Sequence, residues 1–183
     1  SFLILIFSMP FSFLICFFIW LEDRGPILYS QNRVGLNGKI FKIYKFRSMN
    51  INAEDEGVKW AQKNDPRTTL IGKILRKTRF DEIPQLYSVL KGEMSLIGPR
   101  PERPEIEKTL KDNIKFYNLK YLAKPGMSGW AQVNYPYGSS IEDSKNKLSF
   151  DIFYIKNKSI FLDFVILLKT LRVVCNFHRF GSN

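Results

Sequence analysis

Between Gly72 and Pro84 the sequence sets four cations, Lys73, Arg76, Lys77 and Arg79, just ahead of two adjacent carboxylates, Asp81 and Glu82. Proline is tolerated in the first turn of a helix, so Pro84 predicts a helix from about Asp81 to Leu90 with Asp81 as its N-cap. A carboxylate there meets free backbone N–H groups and the positive end of the helix dipole, which lower its pKa and also attract phosphate oxygens. An ionised aspartate beside an electropositive phosphate cradle is what aspartyl-phosphate chemistry requires: a nucleophile aimed at phosphorus, with cations absorbing the developing charge. Glu82 then suits Mg²⁺, a hard ion that takes one or two carboxylates plus substrate phosphate oxygens and needs no histidine or cysteine. The plain alternative leaves Asp81 as a capping residue and Glu82 as a solvated first-turn acid. A glycosidase pair fits less well, because such carboxylates face each other across a sugar at separations of at least about 5 Å.

Other cations invite the same two-sided reading. Gly98 to Pro104 holds Pro99, Pro101 and Pro104, which exclude a helix interior and make a stiff loop around Arg100, with Arg103 behind it. Arg100 is there either an anion clamp with little freedom left to lose, or the partner of a nearby acid such as Glu102 or Glu105. Lys45 and Arg47 are phosphate contacts or a solvated strand face. Trp130 and Tyr135 stack a base or pack in the core. His178 is the one histidine, so a Ser-His-Asp triad or a His-rich zinc site is hard to assemble, and carboxylates, Lys and Arg must carry any catalysis.

The elements that position these residues are legible in outline. Ile27–Gln31 and Phe41–Phe46, separated by the turn residues Gly35 to Gly38, read as a β-hairpin. Helices are expected over about 68–77, 81–90, 104–122, 143–156 and 159–174, and a short strand at Trp130 to Val133. In the last two helices Leu148, Ile152 and Ile155, then Ile160, Phe164, Leu167, Leu168 and Leu171, fall on apolar faces with Lys169 and Arg172 outside. These are core helices or helices lying on a bilayer surface. The expected fold is mixed α/β, helix-rich, with a small antiparallel sheet.

Residues 1–21 carry no charge and consist mostly of large apolar side chains, which marks a membrane segment. Pro10 in its middle predicts either a kinked span or a helix-break-helix hairpin within one leaflet, with Ser8 and Ser12 serving freed carbonyls. A cleaved signal peptide is disfavoured, since no basic segment precedes the run and no small-residue cleavage site follows it. Because the sequence starts at Ser1, it is expected to be cut from a longer chain. Residues 22–183 form the expected soluble domain. Six Lys or Arg against two acids from Glu22 to Met49 suit the cytoplasmic side and an anionic leaflet.

The 183 residues, of which 45% are apolar, allow one domain of ordinary size and exclude a disordered acidic tail, a collagen-like repeat and a low-complexity linker. Cys16 and Cys175 give neither a disulfide framework nor a metal-binding pair, which points to a reducing, cytosol-facing setting. The net charge of +11 admits a membrane-tethered basic module for nucleic acid or anionic lipid, but acids are interspersed and no dense basic stripe forms.

Taken in order, Lys42-Ile43-Tyr44-Lys45-Phe46-Arg47-Ser48-Met49, Asp65-Pro66-Arg67, Asp81-Glu82-Ile83-Pro84-Gln85-Leu86, Gly92 to Pro101, and Lys124-Pro125-Gly126 with Gly129 to Asn134 resemble the bacterial sugar transferases, the monotopic phosphoglycosyl transferases. The resemblance covers essentially the whole chain. It implies a reentrant membrane helix, surface-lying amphipathic helices and a site at the cytoplasmic face of the bacterial inner membrane. It also implies transfer of a sugar 1-phosphate from a UDP-sugar to a polyprenol (undecaprenyl) phosphate, releasing UMP and starting a surface glycan, with no nucleic-acid partner. Asp81 then becomes the phosphoglycosylated residue and Glu82 the Mg²⁺ ligand, while Arg76, Arg100, Arg47 and Asp163 fall on positions similar to other functional residues of the family. A single-step attack by the lipid phosphate is the rival mechanism. The family's usual Ser-Pro pair is replaced here by Met9-Pro10, with the serine at Ser8.

Overall fold

A computed structural model describes residues 2–55, 57, 65–136, 138 and 140–175 of the chain, so His178 lies outside the described residues. The apolar segment forms helix α1, Phe2–Asp23, which runs through Pro10 and is long and apolar enough to cross a membrane. Pro10 deprives the Ile6 carbonyl of its helical donor. The neighbouring hydroxyls go elsewhere: Ser8 Oγ donates to the Leu5 carbonyl at 2.9 Å and Ser12 Oγ to the Ser8 carbonyl at 2.8 Å.

The end of α1 is built into the rest of the protein. Ile15 and Ile19 are buried with Phe46 and Leu75, and Ile27, Ile71 and Ile83 pack around them. Two acids complete the joint. Asp23 takes both terminal nitrogens of Arg47, and Glu22 Oε1 accepts from the Leu70 backbone N–H at 2.7 Å, satisfying a free donor at the start of the next helix.

The expected hairpin forms as β1, Leu28–Val34, paired antiparallel with β2, Ile40–Phe46. Helix α2, Leu70–Thr78, is capped by Thr69, whose side chain accepts from the Gly72 N–H. Gly72 is required there, because a Cβ would stand 2.0 Å from the Ser48 carbonyl oxygen. The expected helix over 81–90 divides. Residues Phe80–Gln85 wind as a 3₁₀ helix, and only Leu86–Leu90 form α3. Pro84, which cannot donate, sits inside the tighter turn.

A second sheet was not anticipated. Strand β3, Ser95–Ile97, lies parallel to β4, Gly126–Ser128, so the fold has an antiparallel hairpin and a separate parallel pair. The chain approaches itself closely here, since Cβ atoms at Gly98 and Gly126 would meet backbone at 2.3 and 2.1 Å. The strand expected over Trp130 to Val133 is instead helix α5, Trp130–Asn134. The helix expected over 104–122 stops as α4, Pro104–Asn113; Phe116 then turns left-handed (φ 62°), and Tyr117–Leu122 continue as a 3₁₀ helix. Helices α6, Ile141–Asn157, and α7, Ile160–Cys175, match expectation closely, and α6 opens on a Ser140–Asp143 capping box.

Apolar surface remains outside. On α7, Ile160, Phe161, Phe164, Leu168 and Leu171 are exposed while Ile166 is fully buried. On α2, Leu70 and Ile74 are exposed, and most of the large side chains of α1 are too.

Candidate active site

One departure from simple helix geometry lies at the site. Arg79 adopts a left-handed conformation (φ 62°, ψ 14°) between α2 and the 3₁₀ turn, with no glycine to ease it. Such a residue costs about 1 kcal/mol or more and persists where packing demands it. The turn swings Asp81 and Glu82 inward against β2, leaving them only 6% and 7% exposed. Asp81 is therefore not the N-cap that the sequence suggested; both acids lie within the first turn.

Glu82 is gripped by cations. Its Oε1 accepts from Lys45 Nζ at 2.8 Å and from Arg100 Nη2 at 3.0 Å, and Arg79 Nη1 stands 3.9 Å from Oε2. Burial alone would raise its pKa, but Lys45, Arg100 and Arg79 hold it well below the usual carboxylate range. Arg100 thus pairs with an acid, though with Glu82 rather than Glu102 or Glu105. Asp81 behaves oppositely. Burial pushes its pKa up, Glu82 adds to that push, and Lys45, Arg79 and Arg76 oppose it. Asp81 Oδ1 is buried and has no hydrogen-bond partner among the described residues, a costly state for a polar atom out of water.

Both acids line a cavity of about 370 Å³, within the size range of small-molecule sites. Among the described residues its wall carries ten Lys or Arg and five Asp or Glu. Two of the cations show the excess directly: burial, aided by the charge of Arg100, lowers the pKa of Lys45 and brings that of Arg33 down to about 10, against the pull of Glu82 on both and of Glu102 on Arg33. An anion entering this space relieves desolvated, mutually repelling cations. The positive charge converges on the cavity, unlike the open stripe of a nucleic-acid surface.

The expected residues divide within this frame. Arg76 lines the cavity and donates to Thr68 Oγ1 at 3.1 Å. Arg100 lines it from the proline-rich loop, which is tied to β1 by the Val34 N–H to Glu102 carbonyl bond of 3.0 Å and by Arg33 donating to the Pro101 carbonyl at 2.9 Å. Arg47 also lines it, but its terminal nitrogens are committed to Asp23. Lys73 and Lys77 are exposed. Asp163 does not join the cavity wall; it accepts from Tyr154 Oη at 2.8 Å. Trp130 stacks on Phe153 with centroids 5.7 Å apart, a packing role, whereas Tyr135 reaches the cavity.

Several lining residues went unnoticed in the sequence. Tyr29, Gln31 and Arg33 alternate along β1 and carry a hydrogen-bond chain, Arg33 to Gln31, Gln31 to Tyr29 and Tyr29 to Glu54. Their period of two was the available signal. Lys120, Lys147 and Asp151 also line the cavity. Asp151 gives a signal too, as an acid three residues from Leu148 and from Tyr154 on the buried face of α6.

Asp81 and Glu82 supply hard oxygens suited to Mg²⁺, and the unpartnered Asp81 Oδ1 is an open ligand. Among the described residues no group of three or more His, Cys, Asp or Glu assembles as a metal site. A Mg²⁺ ion here fits only as a carboxylate-anchored ion completed by water and phosphate oxygens.

Comparison with known proteins adds the family. Residues 1–177 match the bacterial sugar transferases. The chain is 47% identical over 156 residues to a UDP-N-acetylgalactosamine-undecaprenyl-phosphate N-acetylgalactosaminephosphotransferase of Aeromonas hydrophila, covering 85% of this chain and 37% of that protein. It is 38% identical over 171 residues to a UDP-glucose:undecaprenyl-phosphate glucose-1-phosphate transferase of Escherichia coli K12, covering 92% and 37%. It is also 38% identical over 192 residues to an undecaprenyl-phosphate galactose phosphotransferase of Salmonella typhimurium LT2, covering 95% and 38%. The chain thus spans under two-fifths of the length of these relatives.

Proposed function

The chain belongs to the bacterial sugar transferase family, and from that premise we propose that it transfers a sugar 1-phosphate from a UDP-sugar to undecaprenyl phosphate, through a covalent intermediate on Asp81. The observation that carries this reading is the unpartnered, buried Asp81 oxygen at the wall of a cavity rich in cations. A carboxylate oxygen of Asp81 attacks the β-phosphorus, the bond from that phosphorus to the bridging oxygen breaks, and UMP leaves with the electron pair. An oxygen of the lipid phosphate then attacks the same phosphorus. The Asp81–phosphorus bond breaks, giving the polyprenyl diphosphate sugar and restoring the carboxylate.

Arg76, Arg79, Lys45 and Arg100 meet the diphosphate from several directions and absorb charge as the bridging oxygen departs. Glu82 keeps Lys45 and Arg100 aimed at one point through its two short contacts. Mg²⁺ held by Glu82 beside Asp81 would supply further neutralisation of the diphosphate and favour the ionised form of Asp81.

Membrane attachment follows from the acceptor, which never leaves the bilayer. We place α1 in the membrane as a reentrant helix, with Pro10 in its middle, and the exposed apolar face of α7 on the bilayer surface. The domain of residues 22–183 then faces the cytoplasm of the bacterial inner membrane, where UDP-sugars are found. The relatives' names carry three different sugars, so a donor screen following UMP production is the first assay. Label from a radioactive UDP-sugar should then remain on the protein, with UMP released before acceptor is added. The raised pKa of Asp81 gives the single-step rival its one support. UMP appearing only after undecaprenyl phosphate is supplied decides for that rival.

A further inference from the structure

Asp151 is an acid of the cavity that neither the proposed metal binding nor the proposed phosphoryl transfer uses. It sits on α6 between Leu148 and Tyr154, is 5% exposed, and lines the same cavity as Asp81. Burial raises its pKa to about 7, and the only influences that oppose this act through charge, from Lys120 and Lys147. No described side chain donates a hydrogen bond to it. Lys120 gives its short contact to Tyr117 Oη instead, at 2.9 Å, and Lys147 donates to the Gly138 carbonyl.

The two acids of the shared wall have different charged neighbours. Asp81 feels Lys45, Glu82, Arg79 and Arg76, whereas Asp151 feels Lys120, Glu102 and Lys147. The charge of Arg100 acts on a neighbour of each, Lys45 and Lys147. A diphosphate bound against Asp81 and its cations leaves Asp151 to meet another part of the same molecule.

The chemistry of that extension is constrained. A carboxylate accepts hydrogen bonds and repels phosphate oxygens, so it is matched only by a donor. Within a nucleotide sugar the candidate donors nearest this description are ring hydroxyls, carried by the transferred sugar and by the ribose. Lys120 and Lys147 alongside favour the ionised carboxylate and can donate in turn to hydroxyl oxygens.

We infer that Asp151, flanked by Lys120 and Lys147, forms a subsite that accepts a hydrogen bond from a sugar-ring hydroxyl of the bound nucleotide sugar. This inference rests on the proposed donor class and names the group that positions it within the cavity. Asp151 does not touch the reacting phosphorus; it orients the substrate through a hydroxyl.

The test compares wild type with Asp151→Asn, an isosteric change that keeps the side-chain volume and removes the charge. The detergent-solubilised protein is titrated with UMP and with UDP-glucose and UDP-N-acetylgalactosamine, alongside 2′-deoxy-UMP, 3′-deoxy-UMP and monodeoxy versions of the better UDP-sugar. Turnover at saturating donor is followed in parallel. Removal of a charged hydrogen bond should raise the donor KM by about tenfold or more, with kcat changed by less than about threefold. One deoxy analogue should bind wild type about tenfold more weakly yet bind Asp151→Asn no worse than its parent does. If that analogue is a deoxy-UMP, the hydroxyl is the ribose's; if it is a deoxy-hexose, it belongs to the transferred sugar, and UMP affinity is unchanged in the variant. A purely packing role would weaken all ligands alike and show no such coupling, and that result overturns the subsite. So does a KM within twofold of wild type. Wild type that releases UMP normally while ignoring the Asn substitution refutes the subsite alone, whereas wild type that binds no UDP-sugar and releases no UMP refutes the donor reading and the subsite with it.

Discussion

Asp151→Asn should stabilise the protein at neutral and alkaline pH and do little at low pH. In the unfolded chain Asp151 loses its proton near 3.8, whereas in the fold it holds the proton up to about 7. Between those values the unfolded state binds fewer protons than the folded one, so wild-type stability falls as pH rises through this window. Below about pH 4 both states are protonated and the penalty vanishes. Above about 7 the penalty is complete, and a shift of about three units corresponds to about 4 kcal/mol. Asparagine does not titrate and escapes it. For a protein of this size that difference amounts to roughly 10 °C in Tm. The assay is thermal unfolding of both proteins in detergent at intervals from pH 4.5 to 8.5, read by circular dichroism. The gap in Tm should open with rising pH and level off near 8. A gap that does not change with pH, or wild type being the more stable at pH 8, refutes the claim that Asp151 is held as a desolvated carboxylate.

Asp81→Asn should retain the fold yet lose UMP release and protein labelling by about a thousandfold or more, as measured by a burst assay with labelled donor. Arg100→Ala removes a short contact to Glu82 and a cation of the cavity wall, and on the proposed reaction should lower kcat/KM by at least about tenfold in steady-state assays. Gly72→Ala drives a methyl group to 2.0 Å from the Ser48 carbonyl, so a loss of about 2 kcal/mol or more is expected in chemical denaturation, with wild-type stability counting against the close approach. Phe161→Glu together with Leu168→Glu should reduce recovery with liposomes in a flotation assay while leaving circular dichroism unchanged, because both side chains are exposed.

Local chemistry was the legible part of this sequence. Alternation and turn residues placed the hairpin from Leu28 to Phe46, and long periodic stretches placed α6 and α7. Composition alone marked α1. What escaped were breaks in otherwise helical patterns. Nothing in the residue types at Arg79 or Phe116 announces a left-handed turn, because both favour ordinary helix and are forced out of it by tertiary packing. The aromatic and β-branched residues at Trp130 and Val133 suggested a strand, but the N–H of Val133 closes a helical turn onto the Gly129 carbonyl. The parallel pairing of β3 with β4 joins segments about thirty residues apart, beyond the reach of local signals. Of the site, the Asp81–Glu82 pair, Arg76 and Arg100 were legible because acids and cations cluster in the chain, and Asp151 was legible only as an acid on the apolar face of α6. Lys120 and Lys147 were not, since each is unremarkable among its sequence neighbours and gains meaning only where α6 and the Tyr117–Leu122 turn meet.

The joint at the base of α1 bears on how this protein can be handled. A membrane tether is commonly deleted to obtain a water-soluble enzyme, on the view that the anchor and the catalyst are separate parts. Here the excision would strip Ile15 and Ile19 from their pocket beside Phe46 and Leu75. Cut beyond residue 23, it would also withdraw the carboxylates that neutralise Arg47 and cap α2. Arg47, released, would swing an uncompensated guanidinium into the cavity, and the helix that delivers Arg76 and Arg79 would lose its foothold. A shortened version of this chain would be damaged first at the wall that holds Asp81.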